Sequence, residues 1–250
     1  MGKIISALVL ILCFPLLASA AGELRVGMTT DYPPLAFRQS GEVFGVEADN
    51  ARAVGKILSR QVRIVELPFA ELIPALQAGR IDVIMSGLSA TAERSREVQF
   101  TEPYLRVGQM AIIHRDKVGS FSQPWAIYRE GVRIGVEPDT TGAAFAAREL
   151  PDAEIKFFAD SAAAFQALRN NLIDIYIHDA PTSWQLANSK QDQDLISMYR
   201  PLTEEMLAWA VRKDDQALAG ELNRSLQLMR SNGTLDYILN RWIPVTIEVQ

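Results

Sequence analysis

The chain has 250 residues, of which 48% are hydrophobic and 22% charged, with fifteen Gly and twelve Pro dispersed along it. That profile belongs to a folded protein of one large or two small domains, and it excludes collagen-like and disordered chains. Lys and Arg number 25 against 30 Asp and Glu, so a basic footprint for nucleic acid is missing, although a local positive cluster stays open.

Met1-Gly2-Lys3 forms a short charged start, and Ile4 to Leu17 is an apolar run broken only by Ser6 and Pro15. Ala18-Ser19-Ala20 then offers the small residues of a signal peptidase site. Residues 1–20 are therefore expected to be a signal peptide, cleaved after Ala20 or, alternatively, after Ala21. The run is short for a membrane span, and no later segment reaches about eighteen apolar residues. Cys13, the single cysteine, lies inside the segment, so the mature chain is expected to hold no disulfide and no thiolate nucleophile. At roughly 230 residues it can bury a core without one. The expected product is exported, soluble and unanchored.

Short β-rich runs then alternate with helical patterns. Leu24 to Gly27 reads as a strand, followed by a stiff loop through Pro33-Pro34. Asp49 to Ser59 has a helical apolar face, Val62 to Val65 is extended, and Phe69 to Ala78 is helical with Gly79 as its stop. Ile81 to Met85 is a buried strand that opens into Ser86-Gly87-Leu88-Ser89-Ala90-Thr91. The pattern recurs with strands at Val132 to Val136, Ile155 to Phe158 and Ile173 to Ile177, and helices at Thr140 to Leu150 and Ser161 to Arg169. Such alternation implies parallel sheets with helices outside, hence an α/β fold. Glu205 to Val211 looks extended, Gln216 to Arg230 is an amphipathic helix, and Leu235 to Trp242 a last short one. A chain that leaves one lobe and returns to it explains this order. The expected lobes are residues 21–110 with 207–250, and residues 111–206, with a ligand cleft between them.

Three polar spots fall where strands end and helices begin: Ser86-Gly87-Leu88-Ser89 with Arg94, Asp139-Thr140-Thr141-Gly142, and Asp179. Ligands in open α/β sheets sit beyond such ends, and free N–H groups at a helix start favour an anion. Arg94 adds a fork matched to a carboxylate. Asp179 is a lone negative charge ending an apolar strand. Together they suit a small zwitterion, its carboxylate on Arg94, Ser89 and Thr140-Thr141 and its ammonium on Asp179. Each residue also has a structural reading: Ser89, Thr91 and Asp179 as helix caps, Arg94 as a surface residue, Tyr32 and Phe69 as core aromatics. Asp82 and Asp174, in matching strand openings, read as structural.

Signals for catalysis are weak. His114 and His178 have no metal-ligand spacing, and neither a G-x-S-x-G elbow nor a Gly-rich phosphate loop occurs. His178 and Asp179 are adjacent, so on a strand their side chains should point to opposite faces. No catalytic residue, metal or cofactor is expected, and nothing singles out an acid–base pair among the carboxylates.

The run from Leu72 to Thr91, reading L-I-P-A-L-Q-A-G-R-I-D-V-I-M-S-G-L-S-A-T, continues through Glu93-Arg94 and Phe100-Thr101-Glu102-Pro103-Tyr104. With Arg25-Val26-Gly27, Tyr32-Pro33-Pro34, Gly45-Val46, Asp174 to Asp179 and Ser231 to Leu235, it resembles the bacterial extracellular solute-binding proteins of family 3, the polar amino-acid type. The resemblance covers nearly all of residues 23–243. It implies a two-lobe, periplasmic-binding-protein-like fold with two hinge crossovers that closes over an amino acid. The implied partner is an inner-membrane ABC permease, and the implied state a monomer. Carried over by position, Tyr32 and Phe69 flank the ligand side chain, and the Gly87 carbonyl and Asp179 take the ammonium. Arg94, Ser89 and Thr141 hold the carboxylate, with Thr140 and Ser86 close by.

Departures bear on the ligand. Thr29 stands where binders of basic amino acids often place an acid, which favours a neutral or polar amino acid, although Asp31 is near. Asp139 replaces the usual glycine before the Thr pair, Leu35-Ala36-Phe37 replaces Phe-Glu-Phe, and Glu47 replaces an aspartate. Two other classes remain: a ligand sensor feeding a separate signalling protein, and an enzyme similar to cyclohexadienyl dehydratase.

Overall fold

The computed structural model describes residues 22–198 and 200–243. The segment read as a signal peptide lies outside them, as do the closing residues 244–250. Two five-stranded sheets carry the fold. The first runs Val62–Glu66, Leu24–Met28, Val83–Ile84, Ala210–Arg212, Val98–Phe100, and the second Glu154–Phe157, Arg133–Val136, Ile175–Asp179, Gln109–His114, Leu195–Ser197. In each, the first three strands pair in parallel and the fourth is antiparallel to both its neighbours. The central strands are buried on both faces, as the adjacent residues Val83 and Ile84 in the first sheet and Ile175 and Tyr176 in the second show at 0% exposure.

The two sheets share a device at their matching ends. Asp82 accepts the backbone N–H of Arg25 at 2.9 Å and takes its guanidinium at two points, 3.0 and 2.6 Å. Asp174 does the same with Arg133, at 3.0, 2.9 and 2.7 Å. Each aspartate returns its own N–H to the arginine carbonyl at 2.8 Å. A forked guanidinium on a carboxylate, with two backbone bonds beside it, fixes the register of the second and third strands of each sheet. The structural reading of both aspartates holds.

Local chemistry moves several element bounds. The helix expected from Phe69 to Ala78 begins as a 3-10 turn, Phe69–Glu71, before Leu72–Gln77. Pro74 has no N–H to bond the Ala70 carbonyl, so the first turn tightens. Gly79, at φ 68°, ends it. The first long helix starts earlier than expected and spans Val46–Leu58. The stretch from Glu205 to Val211 divides into Glu205–Leu207 and Ala210–Arg212. Its first half pairs with Leu105–Val107 in a separate two-stranded ladder, and its second half joins the first sheet. That ladder carries both crossovers between the sheets.

Helices Gln216–Ser231 and Thr234–Trp242 return to pack beside Val46–Leu58, sharing a core with Trp209 and Val83. The second sheet has its own cores, around Phe145 and Ile134 on one face and Tyr176 and Leu168 on the other. Among the described residues, no helix is long and apolar enough to cross a membrane, and no cluster of His, Cys, Asp and Glu is suited to a metal ion.

Candidate ligand-binding site

The carboxyl ends of parallel strands in both sheets open onto one cleft of about 620 Å³, counting its open mouth. Tyr32, Phe69, Gly87, Ser89, Arg94, Thr140, Thr141 and Asp179 all border it. Ser86 does not; it is buried, and its Oγ accepts the Thr29 N–H at 2.9 Å, a bond inside the first lobe.

Asp179 makes no side-chain cap, so its cap reading is replaced. Its carboxylate accepts the Tyr32 hydroxyl from the opposite lobe at 2.6 Å and the side-chain amide of Gln109 from the neighbouring strand of its own sheet. Burial pushes its pKa above the ordinary carboxylate value, with the Glu205 charge adding and His178 opposing. Gly87 sits at φ 64°, and its N–H donates to Glu47 at 2.7 Å. A Cβ there would come within 2.7 Å of both Tyr32 and Leu35. The Gly87 carbonyl has no hydrogen bond among the described residues.

Arg94 is no surface residue. Its guanidinium donates to the Ser89 carbonyl at 3.1 Å and to the Asp139 carbonyl of the other lobe at 2.9 Å, and lies 5.4 Å from the centre of the Phe69 ring. Burial lowers its pKa, against the pull of Asp179 and Glu205. Among the described residues no carboxylate forms an ion pair with it, so an anion from outside would complete it. Asp139 takes the left-handed conformation, φ 60°, in the place where a glycine is usual, and presents the carbonyl that Arg94 uses.

The hydroxyls differ from expectation. Thr140 caps the helix Thr141–Glu149, accepting the Ala143 N–H at 3.1 Å. The Ser89 and Thr141 hydroxyls donate to the same oxygen of Glu205, at 2.6 and 2.8 Å. Thr91, not Ser89, has the capping role, accepting the Arg94 N–H at 3.1 Å.

Sequence reasoning missed Glu137 and Ser161, and expected His178 to face away from Asp179. Both His178 and Asp179 border the cleft, because the strand ends at Asp179 and turns directly into Ala180–Asn188. One Glu137 oxygen receives the Tyr176 hydroxyl and, at 3.1 Å, the Ser161 hydroxyl, with His178 Nε2 at 3.5 Å. Burial alone would raise the Glu137 pKa, but His178, Tyr176 and Ser161 outweigh it and hold it low. Burial likewise opposes the charge on His178, yet Glu137 and Asp179 carry its pKa above the usual histidine value. A Glu-Pro turn gives no warning of this in sequence. The alternation of Tyr176 and His178 on one strand face was the available signal.

Fold and site define a two-lobe binding protein whose cleft offers opposite charges to a small ligand from both sides. The chain belongs to the bacterial extracellular solute-binding proteins, family 3, whose model matches residues 24–245. It is 29% identical over 231 residues to ABC transporter arginine-binding protein 1 of Escherichia coli, covering 91% of this chain and 93% of that one. It is 26% identical over 246 residues to the cyclohexadienyl dehydratase of Pseudomonas aeruginosa, covering 92% and 91%. Among solved structures, an ancestral amino-acid-binding protein described as a precursor of cyclohexadienyl dehydratase superposes with a TM-score of 0.83 at 32% identity, covering 88% and 95%.

Proposed function

We propose that this protein is a periplasmic receptor that captures an L-amino acid by closure of two lobes, residues 21–110 with 207–250 and residues 111–206, and delivers it to an ABC permease as a monomer. The observation that carries this reading is the pair of complementary charges across one cleft. Arg94 is a half-buried guanidinium lacking an ion-pair partner among the described residues, and Asp179 is a half-buried carboxylate held only by neutral donors. A ligand carboxylate completes the first and a ligand ammonium the second. The Gly87 carbonyl supplies a further acceptor, and Tyr32 and Phe69 flank the side chain.

The far wall bears on the side chain. Asp31 and Glu137 both border the cleft, and the Thr29 hydroxyl donates to Asp31 at 2.8 Å. A polar side chain that ends in hydrogen-bond donors fits such a wall, and a cationic one gains more than a neutral one. The threonine at 29 therefore does not disfavour basic ligands in the way the sequence suggested. A signal peptide over residues 1–20, removed on export, is part of this proposal.

Isothermal titration of the stripped protein against the twenty L-amino acids tests it. One or a few should bind, and Asp179→Asn and Arg94→Ala should each weaken binding by about 100-fold or more, since each leaves a ligand charge unpaired in the closed cleft. Failure of every amino acid to bind would sink the reading. The second reading, an enzyme on a cyclohexadienyl acid, draws on the Glu137–His178 pair beside the cleft and the dehydratase relative. Turnover of prephenate would favour it.

A further inference from the structure

Glu137 directly follows the strand Arg133–Val136, borders the cleft, and keeps 19% of its side-chain surface exposed. Its two oxygens have unlike surroundings. Oε1 gathers the Tyr176 hydroxyl, the Ser161 hydroxyl at 3.1 Å and His178 Nε2 at 3.5 Å. Among the described residues nothing donates to Oε2. The groups on Oε1 are themselves held. Tyr176 is fully buried and stands edge-on to Phe165, with 5.8 Å between ring centres. His178 is fixed through its other nitrogen, where Nδ1 meets the Thr182 hydroxyl at 2.8 Å. Ser161 opens a helix whose start Asp160 caps. A planar carboxylate pinned at one oxygen has little freedom to swing the other, so Oε2 is a fixed acceptor. The same three neighbours keep the carboxyl ionised, and an ionised carboxylate has no proton to donate. Asp31, the other acid on this wall, is exposed, so water screens its charge.

Resting on the amino-acid reading above, we infer that Glu137 is a specificity-determining residue whose Oε2 takes an N–H donor at the far end of the ligand side chain and turns away a side-chain carboxylate. The ligand class is then the amino acids whose side chains end in N–H donors. Acidic amino acids are excluded, because two acceptors with no proton between them repel. Tyr176 is a positioning residue that acts through Oε1.

A glutamine at this position reads the direction of the bond. In Glu137→Gln the amide oxygen must stay where the donors converge, since an NH2 group there would face the protons of Tyr176 and Ser161. The NH2 group then takes the place of Oε2, and a fixed acceptor becomes a fixed donor. Arginine, whose side chain only donates, should lose affinity. Glutamate, whose side chain only accepts, should gain it. Glutamine can turn its own amide over and should change least.

The test is isothermal titration of the twenty L-amino acids on wild type, Glu137→Gln and Tyr176→Phe, after thermal unfolding has shown which variants fold. The tightest wild-type ligand should carry a side-chain N–H donor and bind at least about 100-fold more tightly than L-glutamate. Glu137→Gln should cut that preference at least about tenfold, by loss of the ligand if it is a cation and by gain of L-glutamate if it is an amide. Tyr176→Phe should cut the same preference about threefold, which keeps the inference testable if Glu137→Gln does not fold. Equal weakening of every ligand, with the preference kept, would show a structural carboxylate and overturn the inference. A tightest wild-type ligand without a side-chain N–H donor would also overturn it, while the amino-acid reading stood. If no amino acid binds wild type, that reading falls and this inference with it.

Discussion

Gly87 joins backbone conformation to the shape of the cleft at a single residue. At φ 64° any L side chain is strained by about 1–2 kcal/mol, and a Cβ would meet Tyr32 and Leu35 at 2.7 Å. Tyr32 cannot give way freely, because its hydroxyl donates to Asp179 across the cleft. Gly87→Ala should therefore lower stability by about 2 kcal/mol in urea unfolding and weaken ligand binding at least tenfold. A variant with wild-type affinity would show that the Tyr32–Asp179 contact is not needed in the bound state. Residues at this scale were only half legible. Asp179 and Arg94 stand out as charges at strand and turn ends, and their positions predicted their place. What Ser86, Ser89 and Thr141 do with their hydroxyls was hidden, since a hydroxyl's partner depends on whatever the fold brings near.

Among elements, the matched Arg–Asp clasps are the clearest unit. Asp174 is held by Arg133 and by Lys117 from the turn after Gln109–His114. Burial would raise its pKa, but these partners outweigh it and hold the carboxyl well below the usual range. The folded state thus favours the ionised form. Its stabilisation is present above the unfolded carboxyl value, near pH 4, and is lost as the pH falls below that. Asp174→Asn should cost about 2 kcal/mol at pH 7, a figure reduced for the partial exposure of the cluster, and should flatten the acid side of the stability profile. Urea midpoints between pH 7 and pH 3 check this, and parallel profiles for variant and wild type would refute it. Helices were mostly legible from apolar spacing, as Ser161–Arg169 illustrates with bounds equal to those expected; the structure adds its Asp160 cap. The short strand Val83–Ile84 and the divided stretch after Glu205 were not, because pairing partners decide strand ends.

For the whole molecule, Glu47 is the tie between cleft and hinge. It is fully buried, and accepts the Gly87 N–H at 2.7 Å, the Tyr104 hydroxyl at 2.8 Å and the Trp209 indole N–H at 3.1 Å. Tyr104 immediately precedes one crossover strand, and Trp209 lies two residues beyond the other. Glu47 thereby links both crossovers to the Gly87 loop that borders the cleft. Burial raises the Glu47 pKa, while its donors oppose that rise. Glu47→Gln puts an NH2 group among donors, and should destabilise the protein by about 2 kcal/mol and weaken ligand binding. Glu47→Asp should recover more of the affinity than of the stability. Urea unfolding with Trp fluorescence, beside titration of ligand, separates the two effects; full affinity in Glu47→Gln would deny the coupling.

The α/β alternation, the return of the chain to its first sheet, the structural aspartates and the opposed charges at strand and turn ends were legible in the amino acids alone. Each of these is written in local periodicity, or in the residue type at a strand end, and survives any detail of packing. Only the tertiary structure decided that Glu205 takes the Ser89 and Thr141 hydroxyls, that Glu137 and His178 share the cleft wall, and that Glu47 joins the hinge to Gly87. These are contacts between residues 40 to 162 positions apart. Polar side chains so far apart in sequence acquire partners only when packing desolvates them together, and a buried polar atom then takes whichever partner the fold supplies.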